Sequence, residues 1–242
     1  DADWWDQHDD LLRKARREWG QRHKNLYNSS KLTDFLVSPL PNTIETKDTN
    51  ALLQTVETTD VDGVFSLPLL TPEFVTELLE ELMHYDKSDI PMRRPNGMNR
   101  RGAILSELNG LDHGVVGALA DEVLRPLLHI LFPKHMAMQD ISQTYGFVVQ
   151  YSPDSDVKLK EHADASVATV NICLKPDESS ESSRLYFKEL REIGAAKKEV
   201  KPTYVQLNKP GTAVVHLGQH VHGVAPVSSD RANLVLWFFG QH

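Results

Sequence analysis

The chain has 242 residues, of which 40% are hydrophobic and 25% are charged, the proportions of an ordinary globular protein with a sizeable core. Its 26 basic and 34 acidic residues give a net charge of -8, which argues against non-specific binding to nucleic acid or to an anionic membrane. The single cysteine, Cys173, excludes an intramolecular disulfide and a cysteine-rich zinc site, and it favours a cytoplasmic or nuclear location.

The sequence contains no candidate for a membrane-spanning helix. No apolar stretch approaches the roughly 18 to 20 residues that such a helix needs, and no signal peptide opens the chain. Because the first residue is Asp1, we expect a trimmed N-terminus, ahead of which a targeting segment would not be visible.

Three segments in the first half have the periodicity of amphipathic helices. In the first, apolar and aromatic residues recur every three or four positions over residues 4–19. The second begins with Thr71 as the N-cap and Pro72 at the first helical position. The third covers residues 115–131, where Pro126 is expected to bend or split the helix.

The region between the first two helices, residues 27–62, has no clear periodicity and is expected to connect to the rest of the chain or wrap around it. We therefore predict a helical and irregular N-terminal extension over residues 1–62 and a main domain over residues 63–242.

After Asp140 the sequence changes to short strand-like runs separated by Pro, Gly, Asp and Ser. These runs cover residues 144–151, 166–174, 183–187, 203–207, 211–217 and 232–239. Closely spaced strands of this kind predict a sandwich or jelly roll with the helices packed outside it. The predicted fold class is therefore α+β.

A polar pair, His162 and Asp164, lies at the start of one buried run. On a strand, residues i and i+2 share a face, so both side chains can point at one centre. His222 is well placed to supply a third ligand from a later strand. Two imidazoles and one carboxylate leave three positions of an octahedral metal open, as non-haem Fe(II) oxygenases require.

Two further histidines, His216 and His220, compete with His222 for the third position. His220 shares the strand face of His222, so spacing alone does not exclude it. Arg231, nine residues after His222, favours His222, and we expect the other two to be hydrogen-bonded strand histidines.

Arg231 directly precedes the apolar run 232–239. A guanidinium turned into a core is costly unless a carboxylate meets it, and its planar fork binds a carboxylate bidentately. A dicarboxylate such as 2-oxoglutarate fits this pattern, with one end at the metal and the other at Arg231.

These residues resemble the Fe(II)- and 2-oxoglutarate-dependent dioxygenases, in the branch of the prolyl and lysyl hydroxylases. The stretch "FVVQYSPDSDVKLKEHADASVATVNICL" is similar to the core of procollagen lysyl hydroxylases, and "HGVAPVSSDR" is similar to the distal His-to-Arg segment of prolyl hydroxylases. Upstream, "SLPLLTPEF" and "PMRRPNGMNRRGAILSELNGLD" resemble the 2-oxoglutarate and iron-dependent oxygenase domain-containing proteins.

The resemblance implies a dioxygenase domain over residues 63–242. Its core, over about residues 143–239, would be a double-stranded β-helix, or jelly roll. Supporting N-terminal helices would flank this core. The same resemblance implies three ligands for Fe(II): His162, Asp164 and His222. It also implies that Arg231 binds 2-oxoglutarate, with Tyr151 and Thr169 as hydroxyl partners of this cosubstrate. O2 would be the second cosubstrate and ascorbate the reductant.

Two positions depart from the family pattern. Ser182 and Ser183 occupy a turn in which many relatives have two glycines, so we expect a remodelled loop there. Asn233 replaces a hydroxyl residue that some relatives place near the cosubstrate carboxylate, which would alter cosubstrate affinity.

The expected function is hydroxylation of a peptidyl lysine or proline, with release of succinate and CO2. The expected partner is a protein or peptide rather than nucleic acid. Two alternatives remain at this point: a non-enzymatic jelly-roll binding module, and a metal hydrolase or cupin-type isomerase. The position of Arg231 argues against the second alternative, and iron-dependent turnover of 2-oxoglutarate would exclude the first.

Overall fold

A computed structural model describes residues 2–138, 140–178, 185–190 and 201–240. Within them lie seven α-helices: α1 (Ala2–Trp19), α2 (Leu40–Thr46), α3 (Thr49–Gln54), α4 (Pro72–Asp86), α5 (Val115–Ala118), α6 (Arg125–Leu131) and α7 (Pro133–Met138). Eleven strands are described: β1 (Glu57–Thr58), β2 (Val64–Pro68), β3 (Gly102–Ile104), β4 (Gln143–Tyr151), β5 (Leu159–His162), β6 (Ala168–Lys175), β7 (Leu185–Leu190), β8 (Thr203–Tyr204), β9 (Thr212–Leu217), β10 (His220–Val224) and β11 (Arg231–Phe239). The turn at Ser182 and Ser183 lies outside the described residues.

The strands form two antiparallel sheets. The larger has the order β1-β2-β9-β6-β11-β4-β3, and the smaller has the order β5-β10-β7-β8. Side chains alternate across the larger sheet, as the period of a strand requires. In β6, Val170 and Ile172 join the core shared with the helices, whereas Cys173 packs with Phe187 of the smaller sheet. One face of the larger sheet thus supports the helices and the other faces the smaller sheet, which confirms the α+β jelly roll.

The N-terminal helix α1 confirms the predicted helix, but its buried face differs from the predicted one. Leu12 and Arg16 are buried, whereas Leu11 is 63% exposed. Arg16 donates to the Glu107 carboxylate at 3.2 Å and to the Pro91 carbonyl at 2.7 Å. The ion pair between Arg16 and Glu107 therefore contributes to the buried face of α1, for which the sequence predicted only apolar contacts.

Helix α4 begins as predicted, because the Thr71 hydroxyl accepts the backbone N–H of Phe74. The helix also buries Glu81 completely. This carboxylate accepts the backbone N–H of His23 at 2.7 Å and the hydroxyl of Tyr27 at 2.8 Å. The chain after α1 is therefore fastened to α4 by charge-assisted hydrogen bonds.

The predicted helix over residues 115–131 is present, but it changes its hydrogen-bond pattern along its length. Between α5 and α6, residues Leu119–Leu124 form π-helical turns. Pro126 lies in the first turn of α6, two residues after this stretch, and its missing N–H removes one α-helical hydrogen bond. The interruption thus occurs at the position that the proline predicted.

The region 27–62 is more regular than the sequence predicted, because it contains α2, α3 and a 3-10 helix over Ser29–Phe35. Leu32, Phe35 and Leu40 belong to the same buried cluster as Phe74 of α4. The division at residue 62 stays a prediction. Among the described residues, no helix is long and apolar enough to cross a membrane.

Candidate metal centre and adjoining cleft

Three side chains converge between the two sheets. His162 is the last residue of β5, and His222 lies directly opposite it on β10. Asp164 follows in the loop after β5. One ligand atom from each of the three residues lies within 4.8 Å of the other two, so the group has the dimensions of a metal site.

The hydrogen bonds of the two histidines determine which ring nitrogen faces the centre. Nδ1 of His162 contacts the Lys160 carbonyl, and Nδ1 of His222 contacts the His220 carbonyl, both at 2.8 Å. A carbonyl can only accept, so both Nδ1 atoms carry a proton, and Nε2 of each ring presents a lone pair whenever that ring is neutral. These Nε2 atoms lie 3.3 and 3.7 Å from the Asp164 carboxylate. Two lone pairs facing a carboxylate repel one another unless a cation lies between them, and imidazole and carboxylate ligands suit Fe(II).

The position of Asp164 differs from the prediction that it shares a strand with His162, because β5 ends at His162. The turn after β9 positions it instead: the Asp164 N–H donates to the Gly218 carbonyl at 2.8 Å, and the Gly218 N–H donates to the Val167 carbonyl at 3.0 Å. The backbones are so close that a Cβ at position 218 would lie 1.9 Å from the Ser166 carbonyl oxygen. Only glycine fits this contact without displacement.

Thr169 holds the Asp164 carboxylate in place. Its hydroxyl donates to Oδ2 of Asp164 at 2.6 Å and lies 2.9 Å from the Ser166 hydroxyl. Burial raises the pKa of Asp164, but hydrogen bonding by His162, the positive charge of the neighbouring imidazoles when they are protonated, and the Thr169 hydroxyl outweigh it and keep that pKa well below its usual range. The carboxylate is therefore ionised at neutral pH. The structure directs the Thr169 hydroxyl to Asp164 rather than to the cosubstrate, because one hydroxyl proton makes one such bond.

Arg231 is buried at the start of β11, directly opposite Tyr151 on β4. Its Nε donates to Oδ1 of Asn233 at 2.9 Å, and Nδ2 of Asn233 donates to Oδ1 of Asn171 at 2.7 Å. Asn233, which occupies the position of a hydroxyl in some relatives, thus holds the guanidinium at one edge. This contact fixes the direction of the fork.

Tyr151 is also buried, and burial raises the pKa of its phenol to about 12, against the opposing effects of the Asn99 amide and the Arg231 charge. The phenol is therefore protonated at neutral pH, and its O–H can donate.

A narrow cleft with a cavity volume of about 30 Å³ adjoins the convergent side chains. Its lining contains five of the residues selected from the sequence: Tyr151, His162, Asp164, Thr169 and His222. Arg231 lies behind this lining, next to Tyr151, and is linked through Asn233 to the lining residue Asn171. The structure thus brings the five residues together and places Arg231 beside them.

Sequence reasoning missed two residues that line the cleft, Asn99 and Trp237. Each has a buried nitrogen, Nδ2 and Nε1 respectively, without a hydrogen-bond partner among the described residues. Strand parity could have indicated Trp237, which lies four residues after Asn233 on the same strand face. Asn99 lies within the stretch that resembles the 2-oxoglutarate and iron-dependent oxygenase domain-containing proteins, but no periodicity singles it out in this irregular segment before β3.

His216 and His220 lie close to the centre but outside the three-residue group. Nδ1 of His216 donates to the Leu217 carbonyl at 2.8 Å, as expected for a strand histidine. Its ring lies 4.7 Å from that of His222, and its Nε2 has no partner within the described part of the chain. Burial lowers the pKa of His216 to about 3 and that of His220 to about 4, so both rings are neutral at pH 7.

Comparison with known proteins identifies the family. The family model of the OGFOD2-like domain matches residues 16–137. The chain belongs to the OGFOD2-like family. Two relatives carry the name 2-oxoglutarate and iron-dependent oxygenase domain-containing protein 2. The one from Xenopus tropicalis is 31% identical over 92% of this chain and 64% of its own length, and the one from Homo sapiens is 35% identical over 85% of this chain and 56% of its own length.

These matches confirm the resemblance found in the sequence, and the chain spans somewhat more than half of each relative. A solved structure of a prolyl 4-hydroxylase from Phytophthora capsici has a TM-score of 0.54 at 14% identity, covering 91% of this chain and 68% of that chain. It shows a shared fold. The OGFOD2-like match ends before His162, so the ligand set depends on the geometry described above.

Proposed function

We propose that this OGFOD2-like chain is an Fe(II)- and 2-oxoglutarate-dependent oxygenase that hydroxylates a lysine or proline in a protein or peptide. The products would be the hydroxylated residue, succinate and CO2. The observation that carries the proposal is the convergence of Nε2 of His162 and Nε2 of His222, each on a ring whose Nδ1 is bound to a carbonyl, on the Asp164 carboxylate. The iron and 2-oxoglutarate dependence in the names of the relatives supports it.

His162, Asp164 and His222 would hold the iron through three protein atoms and leave three positions for cosubstrates. Bound iron would supply the oxidative chemistry, in which O2 and 2-oxoglutarate are consumed and one oxygen atom enters a substrate C–H bond. Thr169 and the carbonyls of Lys160 and His220 fix the orientation of the three ligands, the usual work of residues behind a metal site. Ascorbate would keep the iron reduced.

Arg231 would bind the distal carboxylate of 2-oxoglutarate. Its Nε is held by Asn233, and the protonated phenol of Tyr151 lies opposite it on β4. A guanidinium and a phenol O–H at one end of a cleft form a donor set suited to a carboxylate. The cosubstrate would thus be directed with its 2-oxo acid end toward the metal ligands.

The other walls of the cleft suit an aliphatic side chain. Phe147, Leu159 and Trp237 line it, together with the partly exposed Met98. Lysine and proline both present unactivated CH2 groups that would be buried favourably against such a surface. The fold shared with a prolyl 4-hydroxylase supports a peptide substrate.

The test is succinate formation from 2-oxoglutarate in the presence of Fe(II), ascorbate and O2. We expect turnover by the wild type and none by the His162→Ala, Asp164→Ala double variant. The matched control changes an adjacent histidine and aspartate outside the cleft, His113→Ala with Asp112→Ala, and should retain turnover.

Turnover of 2-oxoglutarate can depend on the true substrate, so 2-oxoglutarate binding with Mn(II) in place of iron is measured in parallel by calorimetry. Absence of both succinate and binding would contradict the proposal and favour a binding module. Equal succinate formation by the wild type and the double variant would contradict the assigned ligands.

A further inference from the structure

Asn99 has a buried donor that the fold leaves unused. The residue is 1% exposed, and its Nδ2 has no hydrogen-bond partner within the described residues. Its other polar groups are satisfied: Oδ1 accepts Nδ2 of Asn96 at 3.1 Å, and its backbone N–H donates to Oδ1 of Asn96 at 2.8 Å. A buried N–H without a partner is unfavourable, so the exception calls for an explanation.

The surroundings of Asn99 indicate which ligand group would lie next to its amide. Asn99 lines the cleft, and its amide lies close enough to the Tyr151 hydroxyl to lower the phenol pKa, although Nδ2 is not within hydrogen-bond distance of it. Tyr151 in turn pairs directly with Arg231. Asn99 is therefore near the cationic end of the cleft, where the proposed function places a carboxylate.

The orientation of the Asn99 amide is set by two contacts of its own segment. Asn96 accepts the backbone N–H groups of Met98 and Asn99, both at 2.8 Å, and so shapes a tight turn. The next residue, Arg100, donates its backbone N–H to the Asp156 carboxylate at 2.5 Å. The turn is thus connected to the loop that precedes β5, and Nδ2 is held in place before any ligand arrives.

We propose that Nδ2 of Asn99 donates a hydrogen bond to the distal carboxylate of the dicarboxylate cosubstrate, as a third donor beside Arg231 and Tyr151. This inference rests on the proposed function. The contact would join the segment before β3 to the bound cosubstrate, so that cosubstrate binding holds residues 96–101 against the cleft.

The experiment measures ligand affinity by calorimetry on Mn(II)-loaded protein without O2, so it does not depend on turnover. The Asn99→Ala variant should bind 2-oxoglutarate about tenfold more weakly, the effect of losing one hydrogen bond to a charged group. Its affinity for pyruvate, a 2-oxo acid without the distal carboxylate, should be unchanged. Gly97→Ala is the matched control, since Gly97 belongs to the same turn but not to the cleft lining, and a Cβ there meets nothing within 4 Å. It should bind both acids as the wild type does.

A second variant distinguishes loss of the N–H donor from disruption of the turn. Asn99→Asp keeps the acceptor that Asn96 uses and replaces the N–H donor by a second acceptor, so it should lose at least as much affinity for 2-oxoglutarate. Because a carboxylate at this buried position costs stability, urea unfolding checks that the variant is folded. Unchanged 2-oxoglutarate affinity in both variants, or an equal loss for pyruvate, would overturn the inference and leave the proposed function intact. Failure of the wild type to bind 2-oxoglutarate would overturn both.

Discussion

The hydroxyl of Thr169 fixes the orientation of one metal ligand, Asp164. Its O–H donates to Oδ2 of Asp164, which leaves Oδ1 turned toward Nε2 of His162 at 3.3 Å. The carboxylate therefore cannot rotate freely in its loop. Residues that fix ligands in this way commonly change metal affinity by about 10- to 100-fold when they are lost.

Thr169→Val should lower the affinity for Fe(II) or Co(II) by about tenfold, because valine keeps the shape and removes only the hydroxyl. Metal titration under anaerobic conditions measures the effect. Thr169→Ser is the control, since it retains the hydroxyl and should bind the metal as the wild type does. Equal affinity of the valine variant and the wild type would show that Asp164 needs no such support.

Asn233 shows how a departure from the family pattern is compensated by neighbouring residues. Its amide accepts from Nε of Arg231 and donates to Asn171, and all three residues lie on the face toward the cleft. A hydroxyl could not span these two partners in the same way, because it lacks the two separate ends of an amide.

Among the elements, the turn between β9 and β10 has the largest influence on the metal centre. Gly218 receives the Asp164 N–H and approaches Ser166 so closely that no Cβ fits. The turn that joins β9 and β10 thus positions Asp164, a metal ligand that lies on neither strand.

Gly218→Ala should therefore displace the Asp164 loop. The added methyl group should cost about 1–3 kcal/mol of stability and should weaken metal binding by at least tenfold. Urea unfolding and anaerobic metal titration measure the two effects. Gly97→Ala is the control, because a Cβ at Gly97 meets nothing within 4 Å. Wild-type metal affinity in the Gly218 variant would contradict the role of this turn.

At the scale of the whole molecule, the centre connects the two sheets. His162 and His222 come from the smaller sheet, whereas Thr169 and Arg231 lie on strands of the larger one. A ligand bound between them contacts groups that only the folded jelly roll brings together. Binding should therefore be coupled to global stability.

2-Oxoglutarate at about 100 times its dissociation constant, added to the Mn(II)-loaded protein, should add about 2.7 kcal/mol of stability and raise Tm by about 5–10 °C. Removal of the metal with a chelator should abolish the shift. Differential scanning calorimetry tests this, with the His162→Ala, Asp164→Ala variant as the control that shows no response. An equal shift in that variant would place the ligand elsewhere.

Much of the centre follows from the sequence because its ligands are chemically distinctive. A histidine and an aspartate two residues apart, a later histidine and an arginine before an apolar strand are rare in combination, and strand parity assigns several of them to one face. Two contributions could not be predicted in this way. Asn99 reaches the cleft from an irregular segment, and the role of Thr169 depends on a hydrogen bond across a loop.

The sequence by itself determined the α+β class, the main helices and most of the strands, and the residue types of the candidate centre, because hydrophobic period and side-chain chemistry are local properties. The tertiary structure alone decided that Asp164 lies beyond the strand, that Gly218 positions it, and that region 27–62 packs on the core as short helices. These features depend on contacts between residues distant in the chain, whose free energies no local pattern contains.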